Sequence, residues 1–147
     1  MFIQLFIFKV AVKDDRGVWL RIIMRADQSL DQLHRMIHKG FGYDNSAGYL
    51  FKIPPEGRSG TARKWLSRYY SHPAALQESA DESLYDAALT DLSGLELKSR
   101  FRFEYLTGKQ DRISWREHLV IVEEDQADDQ CDSYPQIIDQ KGVPAPL

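Results

Sequence analysis

Hydrophobic residues recur at every second position over two stretches near the start of the chain, and this period predicts β-strands. Residues 2–13 place phenylalanines and valines on one face, and residues 18–25 place Val18, Leu20, Ile22 and Met24 on one face. The turn-forming sequence DDRG, residues 14–17, separates the two stretches. We therefore predict an antiparallel hairpin.

A helical period follows the hairpin. Leu33, Met36 and Ile37 recur at the spacing of one helix face, and Ser29 precedes Gln32 by three positions. A serine and a glutamine at this spacing form a capping box, in which each side chain binds a backbone amide of the first turn. A glycine at position 40 or 42 supplies a left-handed helix end. We predict one main helix over about residues 30–40.

The remaining patterns extend the sheet. A strand that ends at Ile53 and the segments 100–106 and 113–123 are predicted strands, residues 85–89 a short strand, and residues 61–71 a short helix. Six of the ten residues 123–132 are acidic, which predicts a solvated loop. We expect an α+β fold, a largely antiparallel mixed sheet with the main helix packed on it. Residues 1–147 form a single domain in this prediction, with a tail loosely held from about residue 133.

Composition narrows the functional classes. The chain has 147 residues and a net charge of −3, which argues against general attraction to nucleic acid or acidic membranes. Its single cysteine, Cys131, cannot form an intramolecular disulfide. The apolar run at the start of the chain is too short to span a bilayer and is interrupted by Lys9. We expect a cytoplasmic protein that does not enter a membrane.

Three sequence blocks carry a resemblance to a known family. Trp19 leads a strand, Leu33-His34 lies on the helix, and the sequences GYD and FKI follow at residues 42–44 and 51–53. The second block has FEY at residues 103–105 and WREH at residues 115–118, and Tyr134-Pro135 opens the third. Together they resemble the Ri-plasmid ORF-three-like family, whose mostly uncharacterised members include passenger proteins of plasmids and insertion elements.

The resemblance implies an accessory role without an assigned reaction. Where relatives tend to have a His-Leu-His run after the helix, this chain has AGY at residues 47–49, and the acidic-glycine ending of the family is absent. These departures favour a non-enzymatic role, and we assign no catalytic residue and no cofactor.

Histidines are the first candidate polar site. His34 and His38 are four residues apart, so they share a helix face, and His118 or an acidic residue could join them. Trp115 lies in the same block as His118. No glutamate stands between the helical pair as in metalloproteases, and no complete ligand set is visible. We therefore favour His34 at the edge of the buried face and His38 in solvent, with no metal. A hydrolase using these histidines ranks third among the functions.

A basic and aromatic segment, residues 58–70, is the second candidate site. Positive charges neutralise phosphates and exposed aromatic rings stack on bases, as in single-strand binders. The favoured alternative is a surface helix whose aromatic face covers the sheet, and a third is docking of this segment on residues 123–132 of another copy. The residues named for binding are Arg58, Arg63, Lys64, Trp65, Arg68 and Tyr69.

We thus expect an uncharacterised accessory protein of the plasmid or mobile-element type, acting as a non-catalytic protein-interaction module. Its partner is an unknown protein or a second copy. The alternative is a nucleic-acid-binding accessory protein that uses residues 58–70.

Overall fold

The computed structural model describes residues 4–44, 48–53, 68–71, 84–86, 92, 95, 97–109, 112–127 and 133–145. For residues 68–71, 84–86, 107–109, 112–114 and 127 it describes the backbone only. In chain order the elements are β1 (Gln4–Val12), β2 (Asp15–Arg25), α1 (Leu30–Phe41), β3 (Gly48–Ile53), β4 (Arg68–Ser71), β5 (Leu84–Asp86), β6 (Arg100–Lys109), β7 (Arg112–Ala127) and β8 (Gln136–Lys141).

The strands form one sheet in the order β5-β4-β3-β6-β7-β1-β2-β8. Strands β4 and β5 run parallel, and the other described neighbours are antiparallel. The predicted α+β class, a mostly antiparallel sheet with one helix in the described residues, is confirmed.

The predicted hairpin is the pair β1 and β2, which are antiparallel with Phe8 opposite Ile22. Strand β1 is central, because β7 pairs with its other edge. The phenylalanines and valines of one β1 face are buried, as are Leu20, Ile22 and Met24 of β2. The two-residue period therefore identified the core face of both strands.

Helix α1 begins and ends as its sequence predicts. The Ser29 hydroxyl accepts from the Gln32 amide, and the Gln32 side chain accepts from the Ser29 amide, which completes the capping box. Gly42 has φ 74°, the left-handed conformation that ends the helix at low steric cost. No helix in the described ranges is both long enough and apolar enough to span a bilayer.

The buried face of α1 contacts β2. Leu33 and Ile37 are fully buried in the same hydrophobic cluster as the strand residues. At Gly40 a Cβ atom would lie 2.5 Å from Leu20 Cδ1, so a larger residue at this position would require the leucine side chain to shift. The glycine therefore sets the distance between the end of the helix and β2.

Two segments have a different secondary structure from the one predicted. Residues 68–71, placed in a predicted helix, form strand β4, so that part of the helix prediction is wrong; residues 61–67 lie outside the described residues. Residues 123–127, placed in a predicted acidic loop, continue β7. They are tolerated in a strand because their side chains reach polar partners: Arg21 Nε lies 2.7 Å from Glu123 Oε1, and Gln4 donates to Asp125.

The predicted tail contains a strand that no sequence pattern indicated. Strand β8 pairs antiparallel with β2 and forms one edge of the sheet. Gln140 Nε2 also donates to the Gly40 carbonyl at the end of α1. The segment after residue 133 thus contributes both backbone and side-chain contacts.

Candidate functional site

Three histidines from two elements lie between α1 and the sheet. His34 and His38 lie on α1 and His118 on β7, with 4%, 0% and 0% of their surfaces exposed. The rings of His34 and His38 are 4.5 Å apart, and His38 and His118 both contact the Phe103 ring. We name this group the histidine cluster; its members are His34, His38, His118, Tyr43, Tyr49, Phe103 and Tyr105.

A carboxylate orients His34. Its Nδ1 lies 2.8 Å from the Asp31 carbonyl oxygen and 3.2 Å from Asp31 Oδ1, so Nδ1 carries the proton and donates it. The Tyr49 hydroxyl donates to the same Oδ1 at 2.7 Å, and the Tyr49 ring stacks on His34 with 3.8 Å between centroids. Arg35 Nε approaches the second Asp31 oxygen at 3.1 Å. Asp31 thus links α1 to β3 through one tyrosine.

His118 forms a second hydrogen-bonded chain. Its Nδ1 lies 3.2 Å from the Phe103 carbonyl, which can only accept, so Nε2 accepts from the Tyr43 hydroxyl at 2.7 Å. Burial raises the pKa of Tyr43, partly offset by the neighbouring Arg116, so the hydroxyl stays protonated and remains a donor. The Tyr43 ring stacks on Tyr105 with 4.1 Å between centroids.

His38 has no comparable support. Neither of its ring nitrogens, nor Nε2 of His34, forms a hydrogen bond of acceptable geometry within the described residues, although the Asp44 backbone lies near enough to His38 to oppose the lowering of its pKa. The His38 ring instead meets the edges or faces of Tyr43, Tyr49, Phe103 and Tyr105. Our expectation that His38 lies in solvent is wrong, because the aromatic side chains of β3 and β6 cover it.

Burial keeps all three imidazoles neutral at pH 7. Burial lowers the pKa of His38 to about 4. The electrostatic influence of His34 and His118 lowers this pKa further, whereas the Asp44 backbone raises it. Burial likewise lowers the pKa of His118 to about 4 and lowers that of His34. A protonated imidazole would lose its hydration in this aromatic environment. The cluster is therefore built for uncharged side chains.

The cluster has few features of a metal centre. In the part of the chain that the structure describes, no group of three or more histidine, cysteine, aspartate or glutamate residues is arranged to hold a metal ion. Structural and catalytic zinc sites use at least three protein ligands. Our expectation of a protein without a bound metal stays a prediction.

Trp115 does not join the histidines. It is 59% exposed, and it alternates with His118 so that the two side chains lie on opposite faces of β7. Trp115 instead lines an open cavity of about 250 Å³ at the tip of the β1–β2 hairpin. We call this the Trp115 pocket; its lining residues are Val12, Asp14, Asp15, Trp115, Arg116, Pro144 and Ala145.

The basic and aromatic segment falls mostly outside the described residues. Of its named residues only Arg68 and Tyr69 are described, and for these the backbone in β4 alone. A role of residues 58–70 in nucleic-acid or partner binding stays a prediction.

Several residues of the histidine cluster and the Trp115 pocket were not predicted from the sequence. Asp31 lies three positions before His34, a spacing that brings two helical side chains together and was a usable signal. Tyr49 and Tyr105 gave no such signal, because their contacts with the helix depend on strand pairing. For Asp14 and Asp15 the sequence predicted only a turn.

The fold is of the α+β class: one helix lies beside a mostly antiparallel sheet, and histidine and tyrosine side chains are buried between them. The chain matches the family model described as plasmid pRiA4b ORF-3-like protein over residues 4–146, and it belongs to this family. The resemblance noted from the sequence blocks is thereby confirmed.

Comparison with solved structures supports the fold. The crystal structure of a protein of unknown function from Methanosarcina mazei Go1 is similar with a TM-score of 0.72 and 14% sequence identity. The similarity covers 97% of this chain and 72% of that chain. No functionally curated protein matches the chain.

Proposed function

We propose that this protein is a single-domain, non-catalytic interaction module that acts in the cytoplasm as an accessory protein of a plasmid or mobile element. Its helix, packed on the sheet, supplies a rigid core, and its exposed face supplies the contact with a partner protein. The observation that carries the proposal is Trp115, which is 59% exposed and lines a cavity.

The state of the histidines supports a non-catalytic role. General acid–base catalysis needs a titrating group within hydrogen-bond reach of a substrate, with a pKa near the working pH. His38 and His118 are fully buried, and their pKa values of about 4 keep them neutral near pH 7. Their hydrogen bonds and ring contacts go to the protein itself. The histidine cluster therefore acts as internal structure.

Exposure of Trp115 supports a contact surface. Tryptophan carries more apolar area than other side chains and is enriched among the residues that dominate binding energy at protein interfaces. Most aromatic side chains in the described strands point into the core, so Trp115 stands apart. Its position beside a concave pocket gives a partner side chain somewhere to insert.

Site-specific photo-cross-linking tests the proposal. A benzophenone amino acid placed at Trp115 and expressed in the native host should yield one protein adduct of defined mass after irradiation. Leu97, an exposed apolar residue outside the pocket, is the matched control position, and it should yield none. Absence of any protein adduct at position 115, or the same adducts from both positions, would contradict the interaction module.

A further inference from the structure

We infer that the Trp115 pocket recognises a basic side chain, arginine or lysine, presented by a partner protein. This inference rests on the proposed interaction function and names the chemistry of the contact. Two carboxylates, Asp14 and Asp15, and one indole ring, Trp115, line the same cavity. A cation between them would gain an ionic contact and a contact with the aromatic face.

The two carboxylates are available. Asp14 and Asp15 are exposed, and among the described residues neither forms an ion pair or a hydrogen bond through its side chain. Carboxylates elsewhere on this face of the sheet are engaged. Lys52 Nζ lies 2.6 Å from Glu104 Oε1, and Lys13 Nζ lies 2.8 Å from Glu117 Oε2, a contact that lowers the pKa of Glu117. The hairpin tip is thus a place where negative charge lacks a partner.

The positive residue of the pocket lining, Arg116, is already engaged by the protein itself. The Arg116 guanidinium donates to the Ala145 carbonyl and lies beside the Tyr43 hydroxyl. Its side chain therefore follows the histidine face of β7, whereas Trp115 follows the opposite face. The two carboxylates outnumber this one guanidinium, so the lining carries a net negative charge.

The same chemistry already operates inside this protein. Two cations lie over the Trp19 ring, with Arg21 Cζ 4.5 Å and Lys9 Nζ 5.1 Å from its centroid. None of the described basic side chains lies over Trp115 in this way. The indole at the hairpin tip is thus equivalent in type to Trp19 but lacks its cation.

Pocket size and net charge select the occupant. A cavity of about 250 Å³ is below the roughly 300–1,000 Å³ of typical small-molecule sites, and it suits one long side chain. Arginine is favoured over lysine because its planar guanidinium stacks on an indole ring and can donate two hydrogen bonds to one carboxylate. A second copy of this chain carries a net charge of −3, so association of two copies is opposed by their mutual repulsion.

Peptide titration followed by nuclear magnetic resonance tests the inference on the whole protein. The probes are blocked pentapeptides, Gly-Ser-X-Ser-Gly, with X as arginine, lysine, citrulline or glutamate. The reporter is the indole N–H signal of Trp115, assigned from its loss in Trp115→Phe. We expect the arginine and lysine probes to shift this signal to saturation in the millimolar range, arginine the more tightly. Citrulline and glutamate should leave it nearly unchanged.

Matched variants make the result specific. The double variant Asp14→Asn, Asp15→Asn should bind the arginine peptide about fivefold or more weakly at low salt, as expected for the loss of exposed ionic contacts. Added salt should also weaken binding of the arginine peptide to the wild-type protein, because salt screens these contacts. Glu124→Gln removes an exposed charge outside the pocket and should have no effect. Thermal melting checks that each variant is folded.

The outcomes separate the two levels of the proposal. Equal shifts from arginine and citrulline, or no loss in the Asp14/Asp15 variant, would overturn recognition of a basic side chain. If cross-linking at Trp115 still gave a defined adduct, the interaction function would stand and the partner would bind by other chemistry. Concentration-dependent dimerisation that the Asp14/Asp15 variant abolishes would overturn the inference in favour of a second copy.

Discussion

Replacing His38 with leucine isolates the energetic consequence of burying an imidazole that has no hydrogen-bond partner. The substitution His38→Leu keeps a similar volume and removes two unpaired ring nitrogens. Leucine also favours the helix more than histidine does. Because no described hydrogen bond is lost, we expect the variant at pH 7.5 to be at least as stable as the wild type, with a gain of up to about 1 kcal/mol.

The larger effect appears on acidification. In the unfolded chain the His38 imidazole takes up a proton near pH 6.5, whereas in the folded protein its pKa is about 4. The stability linked to this residue is therefore present in full above pH 6.5, and it is lost as the pH falls from 6.5 through 4. The complete linkage energy is about 3 kcal/mol, of which about 2 kcal/mol is lost by pH 5. His118 contributes a loss of similar size over the same interval, because burial lowers its pKa to about 4 as well.

Urea unfolding at pH 7.5 and pH 5.0, followed by circular dichroism, measures both effects. The free energy of unfolding should fall between these pH values by about 2 kcal/mol less in His38→Leu than in the wild type. His118→Leu is the informative comparison, since it leaves the Tyr43 hydroxyl and the Phe103 carbonyl without their partner. It should lose about 1–3 kcal/mol already at pH 7.5.

The reasoning would be refuted by either of two results. If His38→Leu lost as much stability on acidification as the wild type, His38 would not be neutral and buried in the folded state. If the variant were destabilised by several kcal/mol at pH 7.5, the His38 ring would have a favourable polar partner that the described contacts do not contain.

Three further predictions concern the helix and the basic segment. Ser29→Ala removes one member of the capping box and should lower the free energy of unfolding by about 1 kcal/mol in urea melts; an unchanged midpoint would contradict the role of this cap. Gly40→Ala gains helix propensity but drives a Cβ into a buried leucine of β2, so we expect a net loss of about 1 kcal/mol, and a stabilised variant would show that the leucine can move aside. Binding to labelled DNA or RNA, measured by fluorescence anisotropy across a salt series, should be weak at physiological salt and indifferent to changing Arg63, Lys64 and Arg68 to glutamate; submicromolar binding that this triple change abolishes would establish the nucleic-acid alternative.

The sequence predicts those elements whose information is local. The β1–β2 hairpin follows from a two-residue period on either side of a turn, and the start of α1 follows from Ser29 and Gln32. Residues 68–71, which form strand β4, were predicted as helix because Trp65, Leu66, Tyr69 and Tyr70 recur at the spacing of one helix face. The end of β7 was not predicted because six acidic residues in ten are typical of a loop; within the strand, Glu123 pairs with Arg21 and Asp125 accepts a hydrogen bond from Gln4.

The candidate site shows the same division. The spacing of His34 and His38 placed them on one helix face, and the period of β7 placed His118 opposite Trp115. The sequence could not show whether the histidine face of α1 contacts solvent or aromatic rings, because this depends on which strands lie under α1. Tyr49 and Phe103 come from two strands that pair across more than 50 residues of sequence. Only the assembled sheet brings them to the helix.

The central place of β1 has a consequence for synthesis on the ribosome. One edge of β1 is covered as soon as β2 has been made, but the other edge waits for β7, and Gln4 pairs with Ala127. Until more than 120 residues have been translated, the hairpin presents an uncovered strand edge beside the fully apolar Phe6 and Phe8. We therefore expect the nascent chain to need chaperones that bind unfolded segments, and to need them more when translation is slower. Translational pauses placed between β2 and β7 should increase aggregation of the nascent chain. In the folded protein both edges of β1 are paired, but this pairing joins residues far apart in sequence and so forms late in synthesis.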